Sequence, residues 1–202
     1  YGQRPGATVL AGFDAWKEMD LPVRYGSKGI AIFPSKLFGQ NVKYVFDVTD
    51  TCGTGVRPWN WSVNGTNRRQ LAKMLFPDIY EKEKKFKKSL NTFTRTYVWS
   101  MIEGDDGITE MLERLQTLTG TDLSIQEMDI TQFIVNSAVY AVESRCGITD
   151  REMDLSLISK YQNEEVLYRA GRLISHLSGR ALFEISKSMK AIDLERREYY
   201  AR

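Results

Sequence analysis

Between Phe13 and Asp50 the chain alternates helical and extended patterning under tight punctuation, and few folds can accommodate that stretch. Phe13, Ala15, Trp16 and Met19 recur at helical spacing, and Leu21-Pro22 breaks the run. A basic turn follows, Arg24-Tyr25-Gly26-Ser27-Lys28-Gly29. Ile30 to Phe33 reads as a strand stopped by Pro34. Val42 to Val48 reads as a second strand, with Val42, Tyr44, Phe46 and Val48 on one face and Lys43 and Asp47 on the other. The turn formers of Ser35 to Asn41, with Lys36 among them, join the two. The pattern is a helix feeding an antiparallel hairpin, with cations and aromatic rings at the turns.

Further along, Trp59, Trp61 and Val63 alternate within Val56 to Val63, which predicts a third strand before the Asn64-Gly65 turn. From Asn67 the spacing becomes helical. Leu71, Met74 and Leu75 form one face and Pro77 ends that helix. A second helix is expected from near Asp78, carrying Lys82, Lys84, Lys85, Lys87 and Lys88, with Phe86, Leu90, Phe93 and Tyr97 inward. Gly104 to Gly107 breaks the chain before a short helix, Thr109 to Leu118, which Gly120-Thr121-Asp122 closes. Asp129 and Gln132 suit a capping box for the next helix, and Gly147 suits its end. A short apolar segment, Leu155 to Ile158, precedes a long helix capped by Asn163. Gly171 and Gly179 inside that helix suggest close packing against a neighbour. The expected fold is α+β: a small antiparallel sheet packed on a helix, residues 1–66, followed by a mainly helical half, residues 67–202.

The chain of 202 residues is long enough for one or two domains with a real core. No apolar run approaches a membrane span, so no membrane partner is expected. Cys52 and Cys146 are too few for a disulfide framework and fit a reducing compartment. Charge is unevenly spread. Residues 1–90 hold 15 Lys and Arg against 8 Asp and Glu, and the remainder holds 13 against 18. A polyanion would therefore meet the front half.

Two constellations suit that role. The first places Arg24, Lys28, Lys36, Lys43 and Arg57 beside Tyr25, Phe38, Trp59 and Trp61. Cations follow the phosphates of a single strand, and exposed rings stack on unpaired bases at about 1–3 kcal/mol per base. Trp16, Phe33, Tyr44 and Phe46 are expected in the core, whereas turns and edge strands leave one face of Tyr25, Trp59 and Trp61 open. The glycines beside Arg24 and Lys28 would let backbone N–H groups approach an anion. The second constellation is the Lys82 to Lys88 run, which Glu81 and Glu83 interrupt as on a solvated helix face. Metal and nucleophile chemistry find no support. The one histidine, His176, has no second imidazole a helical turn away, and no nucleotide-binding Gly loop or cofactor motif is present.

An ordered series of short motifs also resembles a known family. Gln3-Arg4-Pro5, Ala7-Thr8, Ala11-Gly12-Phe13 with Trp16, Val23-Arg24, Gly26-Ser27-Lys28-Gly29-Ile30 and Phe46-Asp47-Val48 are similar to the N-terminal domain of ArdC-type antirestriction proteins. The family turn is roughly VRKGEKGI; here it is VRYGSKGI, with Tyr25 at a basic position and Ser27 at an acidic one. The likeness covers about a third of the chain and fades after Trp61. It implies a bacterial, cytoplasmic, non-catalytic module of a mobile-element protein that binds single-stranded DNA during transfer or against restriction. It also implies a helical segment upstream of Tyr1, and helicase or methyltransferase domains downstream in the same polypeptide. Such proteins often continue into a zinc peptidase-like domain with an H-E-x-x-H helix. Here the stretch from Asn91 to Gly120 stands in its place, and the later helices resemble that domain's frame without the metal motif. The alternative reading is a protein-interaction or scaffold module of a larger helicase- or methyltransferase-type protein.

Overall fold

A computed structural model describes residues 7–32, 42–55, 61–120, 124–125, 128–148, 161 and 163–200. The chain divides into two units, Tyr1–Asn60 and Trp61–Arg202.

The first unit holds a three-stranded antiparallel sheet in the order β1-β3-β2. Strand β1 is Leu10–Gly12, helix α1 is Phe13–Glu18, β2 is Ile30–Ile32 and β3 is Lys43–Asp47. Helix and hairpin fall where their patterning places them, and Phe33 to Asn41 lie outside the described residues. The third strand differs from expectation. It is Leu10–Gly12, pairing Leu10 with Asp47 and Gly12 with Val45, and not Val56 to Val63. Of that segment 56–60 lie outside the described residues, and Trp61 to Val63 are irregular. Three residues leave too little alternation for β1 to be read from sequence.

The core of this unit is Trp16, Leu21 and Val48, with Ala11, Val23 and Phe46 packed against them. Trp16 is fully buried, and its indole N–H donates to the Phe46 carbonyl at 2.8 Å. That bond satisfies the one polar group a buried tryptophan brings inside. Asp47 shares the sheet face of Lys43, away from Phe46, and is 0% exposed. Its Oδ1 accepts from the Thr49 amide at 2.9 Å and its Oδ2 from the Val9 amide at 3.1 Å. The carboxylate caps the 3-10 turn Val48–Asp50 and ties down the start of β1. Burial opposes its ionisation, but the donors from Thr49 and Thr8 outweigh this and bring the carboxyl down to about 2.

The second unit is helical: α2 Arg68–Leu75, α3 Pro77–Glu83, α4 Phe86–Gly104, α5 Asp106–Thr119, α6 Asp129–Arg145 and α7 Glu164–Tyr200. The expected single helix through the lysine run is two. Lys84 takes φ 55, a left-handed residue that ends α3, and α4 restarts at Phe86. Helix α5 begins three residues before its expected start because the Asp105 carboxylate caps it, accepting from the Gly107 amide at 2.9 Å. The N-cap of α6 is Met128, with Asp129 already in the first turn and no capping box. Asn163 caps α7 as expected, accepting from the Glu165 amide at 2.9 Å. Gly171 and Gly179 are exposed, and a Cβ at either would meet no neighbour, so they mark no close helix contact.

Two apolar clusters fill this unit. One gathers Leu112, Leu115, Ile134, Leu173 and their neighbours; the other gathers Trp61, Leu71, Phe76, Leu90, Ile185 and theirs. Trp61 and Val63 therefore pack with the helices, which moves the boundary from the expected Thr66 back to Asn60. Among the described residues no helix is long and apolar enough to cross a membrane. The Leu155 to Ile158 segment lies outside the described residues.

Candidate nucleic-acid interface

The turn between α1 and β2 is built on a rigid base. Val23 bridges to Thr51, the Arg24 amide donates to the Asp50 carbonyl at 2.8 Å, and the Cys52 amide donates to the Pro22 carbonyl at 2.9 Å. A Cβ on Gly55 would lie 1.9 Å from the Met19 carbonyl oxygen, so only glycine allows this strip to approach so closely. Above the base, the Ser27 amide closes on the Arg24 carbonyl at 3.2 Å, and Gly26 takes φ 82. A positive φ at the third position of a four-residue turn is what makes glycine the fitting residue there.

This geometry pushes the side chain of Tyr25 fully into solvent, with Arg24 and Lys28 exposed on either side. Neither cation makes an ion pair among the described residues. Gly29 has a different reason from the one the sequence suggests. A Cβ there would sit 3.0 Å from Cβ of Tyr44 and 3.2 Å from Phe46, so the space beside Gly29 is filled by rings and is not open to an anion.

Of the eight residues expected to bind nucleic acid, Arg24, Tyr25 and Lys28 are brought together on the one turn. Lys43 is exposed at the start of β3 and pairs in register with Ile32, on the sheet face opposite Tyr44. Lys36, Arg57 and Trp59 lie outside the described residues. Trp61 does not serve as an open platform. It is 9% exposed within the helical unit. The Arg145 guanidinium lies 4.0 Å above its ring and donates to its carbonyl at 2.8 Å, so the face a base would use is already taken.

Tyr44 is a ring the sequence pattern assigns to the core, and the structure leaves it 58% exposed. The register explains this. Strand β1 reaches only as far as Val45, so Tyr44 lies past the end of its neighbour on that side. Its ring edge rests against Gly29, next to Lys28. The alternation of β3 was legible, but the length of the strand that would cover it was not. The combined surface offers two exposed phenol rings and two cations that make no ion pair among the described residues.

The Lys82 to Lys88 run carries the pairs Lys84–Glu81 and Lys88–Glu83. His176 is exposed on α7. Cys146 is buried, and burial pushes its thiol up to about 12, far from the reactive thiolate range. Among the described residues no group of three or more His, Cys, Asp or Glu could hold a metal ion. Compared with protein-family models, curated proteins and solved structures, the chain finds no match.

Proposed function

We propose that this chain is a sequence-tolerant module that binds single-stranded DNA through the Arg24–Lys28 turn. The observation that supports the reading most directly is Tyr25, fully exposed between two cations that have no ion pair among the described residues. A tyrosine projected into water on a glycine-supported turn adds nothing to the core, whereas an unpaired base can stack on its open face. The similarity to ArdC-type N-terminal domains supplies the context: a non-catalytic, cytoplasmic role in a bacterial mobile-element protein, protecting or delivering transferred DNA. In that setting the enzymes are neighbouring helicase or methyltransferase domains.

Fluorescence anisotropy with labelled oligothymidylate and a duplex of equal length, at two salt concentrations, tests the reading. The expected result is preference for the single strand and an affinity that falls steeply with salt. No binding at low salt removes the proposal. A second reading, a protein-interaction or scaffold module, draws on Leu10 and Ile32, 45% and 40% exposed on the sheet face away from Phe46. Oligonucleotide binding that is weak and indifferent to strandedness favours that reading instead.

A further inference from the structure

The elbow between α3 and α4 opens a cleft of about 720 Å³ in the helical unit. The left-handed Lys84 and the extended Lys85 turn the chain between α3 and α4, and the cleft is lined by Glu83, the first turns of α4 and Glu143 of α6. Lys85, Lys87, Lys88 and Thr92 line it as exposed residues, and Glu83 and Asn91 as half-buried ones. The cleft also reaches Glu143 of α6, 1% exposed, whose Oε1 accepts from the Asn91 side-chain Nδ2 at 2.8 Å.

The cleft is bipolar. Its rim is cationic: Lys88 is shared with Glu83 at 3.7 Å, and Lys85 makes no ion pair among the described residues. Glu143 is a buried carboxylate that polarises Asn91. An amide that donates to a carboxylate becomes a stronger acceptor at its own carbonyl. An anion is therefore favoured at the rim and disfavoured beside Glu143, where hydroxyl or N–H donors fit the side-chain carbonyl of Asn91. The volume lies within the ~300–1,000 Å³ of small-molecule sites.

We propose that this cleft binds a phosphomonoester of sugar or nucleoside size, its phosphate between Lys85 and Lys88 and its hydroxyl-bearing end toward Asn91 and Thr92. The group can arrive on a free metabolite or as the 5′-phosphate of a nucleic-acid strand. Only residues of the helical unit take part, so the cleft binds or fails to bind independently of the Arg24 turn.

The test is titration of the isotope-labelled chain with ribose 5-phosphate and with inorganic phosphate, followed by amide chemical shifts. Saturable binding of ribose 5-phosphate is expected, tighter than inorganic phosphate, with shifts centred on Lys85, Lys88, Asn91 and Thr92. The double variant Lys85→Gln, Lys88→Gln weakens it by about tenfold or more. Lys190→Gln, an exposed charge on α7, leaves it unchanged. Absence of saturation, equal affinity for inorganic phosphate, or an equal loss in Lys190→Gln each overturns the proposal. A 5′-phosphorylated oligothymidylate compared with its 5′-hydroxyl twin assigns the source. Shifts of the same amides with the phosphorylated strand alone point to a strand end. Shifts with ribose 5-phosphate but neither strand point to a free metabolite.

Discussion

Tyr25 and Trp61 show how little a residue type says without its neighbours. Both were candidates to stack on bases. One sits on a turn where Gly26 with φ 82 points it outward, and the other lies under Arg145 at 4.0 Å. Their alanine variants should therefore separate. Tyr25→Ala is expected to weaken oligothymidylate binding by about 1–3 kcal/mol and leave thermal stability unchanged, since the ring is fully in solvent. Trp61→Ala is expected to cost about 3–5 kcal/mol of stability by opening the second apolar cluster. A stable Trp61→Ala chain with impaired binding reverses that assignment. Asp47 makes a pH prediction. Its folded value of about 2 lies below the ordinary 3.8, so the carboxylate form is favoured in the fold. The contribution is complete above about pH 4 and is lost as pH falls toward 2, amounting to about 2 kcal/mol. The Trp16 indole proton, bonded to the Phe46 carbonyl beside Asp47, should report loss of the sheet over that range. Asp47→Asn should be less stable at neutral pH and much less sensitive to acid.

At the scale of elements, α7 invites a simple gain. Gly171 and Gly179 lie on its exposed side, with nothing within 4 Å of a built Cβ. Replacing each with alanine should raise stability by about 0.5–1 kcal/mol, measured by denaturant unfolding, because it removes backbone freedom from the unfolded chain and meets no obstacle. A loss on either substitution would show that the glycine has a partner. The elements were legible in sequence wherever a strong period ran long. The apolar spacing from Val166 to Ile192 and the cap at Asn163 gave α7, and the broad apolar face from Ile130 to Val142 gave α6. The misses have local causes. Strand β1 is three residues long, too short for alternation to register. The α3–α4 break falls on a lysine, a residue that gives no warning of a positive φ. The burial of Asp47 was not legible, because its donors lie across a turn and in the segment just before β1. At the candidate interface, Arg24, Tyr25 and Lys28 could be read from one contiguous motif. The exposure of Tyr44 depends on where β1 stops, and that is settled by pairing between distant segments.

Across the whole chain, the two units have very different means of holding together. The first centres on three buried apolar residues, Trp16, Leu21 and Val48, reinforced by the hydrogen bonds of Asp47. The second holds two clusters, and single helices run through both. Helix α7 contributes Val166 to Leu177 to one and Ala181 to Ile192 to the other; α6 divides at Ala138 and Val142, and α4 at Leu90 and Val98. A helix of 37 residues extends about 55 Å, and half of it left without its cluster would expose an apolar stripe to water. The helical unit should therefore unfold as one cooperative block. Leu112→Ala in the first cluster and Leu71→Ala in the second remove fully buried side chains, each at about 2–5 kcal/mol. Native-state hydrogen exchange is expected to show each substitution lowering the protection of the slowest amides in α2 and α5 alike, by the same increment. Protection lost around the substituted cluster alone would divide the unit in two and leave α7 as a tether between separate cores. Amides of the small sheet, with few apolar side chains to expose, should exchange faster than either group and be unmoved by both substitutions.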